Sequence, residues 1–241
     1  MIKGILFDKD GTLIDFNTTQ HHILSTVLLD LRENFSISEE VFSSIEKALG
    51  YMPEKLSPDS LLQHSTTTKI VEAMINAETC CTARSKDALL PNASELFELY
   101  NDHATKESVP YVLLPGVKDL FDYLGSKNYE LGIATADTYE ATVAGLGKTG
   151  LSTFFDYLGT DNSAKEPKPS PFMADTFCKQ TNISKDELLI VGDSENDMLF
   201  AENAGAHFIG MSTHPDDAAI FLDKGHRAAK TITEIIDLFE L

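Results

Sequence analysis

The amino-acid sequence predicts an α/β fold, a doubly wound parallel sheet with a Rossmann-like core and an inserted all-helical unit. Beyond Pro115-Gly116, short apolar strands alternate with helices, the rhythm of a parallel sheet covered on both faces. Between Phe16 and about Val109 the apolar residues recur at helix spacing throughout. Four predicted strand ends carry polar residues, and in such sheets ligands bind beyond the carboxyl ends of the strands.

Residues 2–7 read as a short buried strand that stops abruptly at Asp8. Ile23, Leu24, Val27, Leu28, Leu31 and Phe35 mark a first helix. Val41, Phe42, Ile45 and Leu49 mark a second, begun after Ser38 and two glutamates and stopped by Gly50. Ser57-Pro58 suits the cap and first turn of another helix, and Asn92 the cap of a fourth. Further on, Val117–Leu124, Tyr139–Leu146, Pro171–Gln180, Asn196–Ala204 and Thr231–Phe239 are predicted helices. Tyr129–Ala134, Phe155–Leu158, Leu188–Gly192 and His207–Ile209 are predicted strands. The expected organisation is a core of residues 1–15 and 110–241 interrupted by a helical insert, 16–109.

Composition narrows the function. Of 241 residues, 42% are hydrophobic and 24% charged, an ordinary globular balance. The net charge of −19, from 38 acidic and 19 basic side chains, argues against nucleic acid or an anionic membrane as partner. No stretch approaches the ~18 uninterrupted apolar residues of a membrane span. The opening Met1–Phe7 is too short an apolar run for a signal peptide. Cys80, Cys81 and Cys178 form neither a metal spacing nor an even-numbered framework, so reduced thiols in the cytoplasm are expected. An acidic protein that handles an anionic substrate must reverse its field locally, with a metal ion or a placed lysine.

The pentad Asp8-Lys-Asp10-Gly-Thr12 sets two carboxylates two positions apart after a strand, on one side if strand geometry persists. Such a pair serves phosphoryl transfer, Asp8 attacking phosphorus while Asp10 protonates the departing alkoxide and later deprotonates water. The same pentad also suits a plain turn. A calcium loop is excluded by counting. Such a loop needs Gly at position 6 and Glu at position 12, where this chain offers Leu13 and Thr19, or Gly11 and Asn17.

A second acidic cluster, Gly192-Asp193-Ser-Glu-Asn-Asp197, follows another apolar strand and offers hard oxygen ligands of the kind Mg²⁺ takes. Asp197 falls in the first turn of the next helix. It can support a metal shell, orient a lysine, or simply complement the helix dipole. Lys168, flanked by prolines in Glu166-Pro-Lys-Pro-Ser-Pro171, is the candidate phosphate-binding lysine, with Lys165 competing. Thr135 closes a strand, and its hydroxyl with the Ala136 N–H suits phosphate oxygens at a helix start.

Taken in order, Asp8-Lys-Asp-Gly-Thr12, Thr135, Lys168-Pro169 and Gly192-Asp193-Ser-Glu-Asn-Asp197 resemble the four motifs of the haloacid dehalogenase superfamily. Their separations are 127 (135 − 8), 33 (168 − 135) and 25 (193 − 168) residues. The long first gap resembles the branch with a helical cap, and the chain is similar to phosphoglycolate phosphatase-like members over nearly its whole length. Ala201-Glu-Asn-Ala-Gly-Ala206 fits that branch too. The resemblance implies a Mg²⁺-dependent phosphatase in which Asp8 becomes an aspartyl-phosphate and Asp10 is the acid/base. Thr135 and Lys168 would bind the phosphoryl group. Asp8, the Asp10 carbonyl and Asp193 would ligate the metal.

The implied partner is a small phosphorylated metabolite, phosphoglycolate among the candidates, handled by a monomer or small homo-oligomer. A β-phosphoglucomutase-like phosphomutase shares all four motifs. A dehalogenase has no alkoxide to protonate, so Asp10 argues against it. A non-catalytic metal-binding or regulatory protein on this fold would be marked by loss of a motif residue. In the cap, Gly50-Tyr-Met-Pro-Glu-Lys55 is the candidate specificity segment, with Tyr51 and Lys55 as its readers. A solvated lysine in a helix–helix turn is the plainer account of Lys55.

Overall fold

The computed structural model describes residues 1–35, 37–57, 60–82, 90–161, 163–212 and 215–241. The chain divides into two compact units, Met1–Asp15 with Tyr111–Leu241, and Phe16–Pro110. Strand β1 (Gly4–Phe7) opens the first unit.

The second unit follows with α1 (Phe16–Asn34) and α2 (Glu39–Leu49), the ribbon strands β2 (Tyr51–Met52) and β3 (Lys55–Leu56), α3 (Thr67–Thr82) and α4 (Ala93–Thr105). Its helix ends are chemically specified. Ser38 caps α2 by accepting from the Val41 N–H, and Gly50 closes it in the left-handed region at φ 68°. Asn92 and Glu95 form a capping box on α4. One expectation fails here: the segment is not helical throughout. Tyr51 pairs with Leu56 and Met52 with Lys55 in an antiparallel ribbon. Gly50 ends α2, Pro53 cannot continue a helix, and a tight turn at Pro53-Glu54 folds the chain back. The predicted Ser57-Pro58 helix start involves Pro58, which lies outside the described residues. Ser60 instead caps a short 3₁₀ turn, Leu61–His64, ahead of α3.

The first unit resumes with α5 (Val117–Leu124), β4 (Glu130–Ala134), α6 (Tyr139–Thr149), β5 (Tyr157–Gly159), α7 (Phe172–Thr181) and β6 (Leu188–Gly192). It continues through α8 (Glu195–Ala204), β7 (His207–Met211), α9 (Pro215–Asp223), β8 (Arg227–Ala229) and α10 (Glu234–Phe239). Six parallel strands run in the order β5-β4-β1-β6-β7-β8, a doubly wound sheet flanked by helices. The predicted α/β class holds. Elements α9 and β8 carried too little periodicity to be read from sequence, since three residues of Arg-Ala-Ala show no alternation.

β1 is buried along its whole length, which is why it reads as an unbroken apolar run. Its Gly4–Phe7 pair with Glu130–Ile133 on one side and Leu188–Val191 on the other. That register brings the ends of three strands to one edge. Two glycines set the packing beneath the sheet: a Cβ at Gly4 or Gly132 would come within 3.0 Å of the Phe177 ring. Among the described residues no helix is long and apolar enough to cross a membrane.

Phe177 is fully buried among Leu6, Leu188 and Ile190. Phe177→Ala is expected to cost roughly 3–5 kcal/mol of stability, the usual range for an emptied aromatic site, read as a lowered urea midpoint at unchanged m-value.

Candidate active site

Three strand ends and one loop deliver the candidate residues. Asp8 leaves β1 with its N–H donating to the Val191 carbonyl at 2.8 Å. Thr135 follows β4, Asp193 follows β6, and Lys168 arrives on the loop between β5 and α7. The loop is braced by the Ser170 N–H donating to the Pro167 carbonyl and by Asn203 Nδ2 donating to the Pro169 carbonyl, at 2.9 Å each.

Lys168 Nζ lies 2.7 Å from Asp8 Oδ1 and 2.5 Å from Asp197 Oδ1, and its side chain is 3% exposed. Lys165 is exposed. Asp197 holds the lysine with one oxygen and caps α8 with the other, Oδ2 accepting from Ser194 Oγ at 2.6 Å. Two of its candidate roles, orienting a lysine and complementing a helix start, are thus filled by one side chain.

Two glycines let these motifs close on each other. Gly11 adopts φ 84°, and a Cβ there would meet Asp193 Oδ2 at 2.1 Å. A Cβ at Gly192 would meet the Asp197 Cβ at 2.3 Å. Thr12 Oγ1 donates to Asp193 Oδ1 at 3.4 Å.

Ligand oxygens of Asp8, Asp193 and Asp197 lie within 4.8 Å of one another. The carboxylate of Asp10 is not in this trio. Strand geometry stops at Phe7, and Asp10 turns to pair with Lys9 at 2.7 Å. Its other oxygen, Oδ1, is buried with no hydrogen-bond partner. Lys9 also reaches Asp137 at 2.8 Å. Sequence reasoning assigned no role to Lys9 or Asp137. The available signal was a lysine set between two site aspartates, and an aspartate two residues past Thr135. Thr135 Oγ1 accepts from the Asp137 N–H at 3.2 Å. The expected helix start at Ala136 lies further on: Thr138 caps α6, so Thr135 and Ala136 sit on the loop before it.

Burial pushes the Asp8 carboxyl up to about 7; Lys168 opposes the rise, while Asp197 and Asp10 add to it. Burial, then Asp8 and Asp197, raises Asp193 well above the usual carboxylate range. Burial also raises Asp10, against the pull of Lys9. For Lys168, burial works against the charge, but Asp197 and Asp8 outweigh it and hold the ammonium above the ordinary lysine range. Hard oxygen donors held together against their own repulsion fit a small divalent cation.

The family model described as haloacid dehalogenase-like hydrolase matches residues 5–211. The chain belongs to this family. Pyrophosphatase PpaX of Bacillus velezensis is 27% identical over 213 residues, covering 88% of this chain and 83% of that protein. A phosphoglycolate phosphatase of Photorhabdus laumondii is 28% identical over 211 residues, covering 88% and 80%. The fold is also similar to that of YfnB from Bacillus subtilis, solved with magnesium bound. That match has a TM-score of 0.68 at 17% identity over 100% of this chain and 99% of the other. This hydrolase is a phosphatase, in keeping with its relatives' names.

A raised carboxyl must lose its proton before it can ligate a cation. With burial pushing the Asp8 carboxyl up to about 7, affinity for a divalent cation such as Mg²⁺ should strengthen as pH rises through that value. The slope below pH 7 is about tenfold per pH unit for each proton displaced. Titration calorimetry in buffers of different ionisation enthalpy reads both the affinity and the released proton.

Proposed function

We propose that this phosphatase hydrolyses a small phosphate monoester through an aspartyl-phosphate on Asp8, with Mg²⁺ as cofactor. The observation that carries the reading is Lys168 held between Asp8 and Asp197, with Asp193 alongside. The Lys168 ammonium opposes the rise that burial imposes on the Asp8 carboxyl and aims it, as a nucleophile requires.

Asp8 attacks phosphorus, and the bond to the leaving oxygen breaks as Asp10 gives that oxygen a proton. Asp10 then takes a proton from water, the oxygen of which attacks phosphorus, frees phosphate and restores Asp8. Lys168, the Thr135 hydroxyl and the Ala136 N–H stabilise the phosphoryl oxygens. Mg²⁺, held by Asp8, Asp193 and the Asp10 carbonyl, would neutralise charge that Lys168 leaves uncovered.

The substrate class is proposed from the relatives' names, with phosphoglycolate among the candidates. Residues 16–109 are proposed as the cap, with Tyr51 and Lys55 reading the leaving group. His21 stacks on Tyr51 at 5.2 Å and meets the Met52 carbonyl at 3.0 Å, so the ribbon is anchored while Lys55 stays exposed. Lys55→Ala is expected to raise KM for 2-phosphoglycolate and leave p-nitrophenyl phosphate nearly unchanged. Equal effects on both esters would remove the ribbon from the specificity argument.

The nucleophile and the lysine are tested together, with and without chelator. Asp8→Asn should abolish turnover of p-nitrophenyl phosphate and any acid-stable phosphoprotein, as should excess chelator. Asp10→Asn should lose roughly 10²–10⁴-fold on esters whose leaving group needs a proton, and least on p-nitrophenyl phosphate. Lys168→Met should lose at least about 10²-fold and Lys165→Met little. Substantial turnover by Asp8→Asn would make water the nucleophile. Transfer of phosphate to a sugar rather than to water would mark a phosphomutase.

A further inference from the structure

Lys9 sits between two site aspartates without a part in the chemical steps above, and its side chain is 0% exposed. An ammonium taken out of water is costly unless it is paired. Two carboxylates pair it, Asp10 Oδ2 at 2.7 Å and Asp137 Oδ2 at 2.8 Å, and the Tyr111 ring centroid lies 5.5 Å away.

Asp137 is a fixed post. Its Oδ1 accepts from the Thr138 N–H at 2.8 Å, its own N–H donates to Thr135 Oγ1 at 3.2 Å, and its carbonyl accepts from the Asp161 N–H at 2.9 Å. Asp10 is held differently, with Oδ2 on Lys9 and Oδ1 buried without a partner. A carboxyl group turns readily about its last torsion, so anchoring one oxygen sets the direction of the other.

We propose that Lys9 is the positioning residue for Asp10. It clamps Asp10 Oδ2 against the fixed carboxylate of Asp137, and so keeps Oδ1 at the orientation from which it serves the leaving oxygen. This rests on the proposed acid/base role of Asp10. Lys9 itself touches no reacting atom. Through Asp137 the same clamp sets the acid/base against Thr135, so two of the four motifs share one buried ammonium. A purely structural ion pair would slow every ester alike, whereas a positioning residue matters most where the leaving group needs a proton.

The test compares kcat/KM, which reports the step in which the leaving group departs, for phenyl phosphate and p-nitrophenyl phosphate with Mg²⁺. Phenolate leaves with the help of a proton, and nitrophenolate leaves well without one. Lys9→Met is expected to lose about 10- to 10²-fold on phenyl phosphate and less than about 3-fold on p-nitrophenyl phosphate. Asp137→Asn keeps the post's shape and should show the same preference more weakly; it carries the test if Lys9→Met does not fold. Equal losses on both esters, or no loss on either, would overturn the proposal. A crystal structure of whichever variant folds adds a readout independent of turnover: Asp10 should leave its present orientation, and an unmoved carboxylate would also overturn it. If the wild-type protein hydrolyses neither ester, or Asp8→Asn keeps turnover, the proposed mechanism fails instead, and that structure alone decides the role of Lys9.

Discussion

Two buried lysines, each set between two aspartates, are what the site depends on. Lys168 joins Asp8 to Asp197, and Lys9 joins Asp10 to Asp137. Each bridge ties a carboxylate of the first motif to one delivered by a different strand end. With both ammonium groups buried the arrangement is mutual: either ammonium alone would be costly to bury, and so would either pair of carboxylates. Counting Asp193, five carboxylates face two ammonium groups. The uncovered charge gathers around Asp8 and Asp193, the two carboxyls that burial and their neighbours raise most plainly. The protein's overall acidity makes this local arrangement necessary for any anionic substrate.

The sheet supplies the geometry that the charges need. β1 runs at the centre, and its parallel pairing with β4 and β6 places Asp8, Thr135 and Asp193 at one edge. Glycine then decides how closely the loops approach. Gly11 lies against Asp193 and Gly192 against Asp197, at distances where no side chain fits. The glycine of the first motif is therefore a packing partner of the fourth as well as a turn residue. A residue with a Cβ there would push Asp193 away from Asp8 and loosen the trio that fits a divalent cation.

The helical unit is built on different terms. Its helices are delimited by capping side chains and a left-handed glycine, and its ribbon is steadied by His21 against Tyr51 and the Met52 carbonyl. None of the four motifs falls in it. The residues of the proposed chemistry and the proposed readers of the leaving group thus lie on separate stretches of chain.

The sequence by itself determined the fold class, most element positions and the residues of the two acidic clusters. These are local matters: apolar runs ending in aspartate mark buried parallel strands, and Ser38, Gly50 and Asn92 mark helix ends by their own hydrogen-bonding chemistry. It also favoured Lys168 over Lys165, because flanking prolines restrict a backbone whatever surrounds it. What it left open were matters of partnership across long separations. Asp197 had three readings until Lys168 and Ser194 were seen to share it. Lys9 carries no role in the sequence, because nothing near it announces Asp137, which lies 128 residues on (137 − 9). The ribbon at Tyr51–Leu56 was hidden because two-residue strands have no period to read. Asp10 turned away from the metal-fitting trio because strand geometry ended at Phe7, and the side on which a residue falls past a strand end is set by tertiary contacts rather than by alternation.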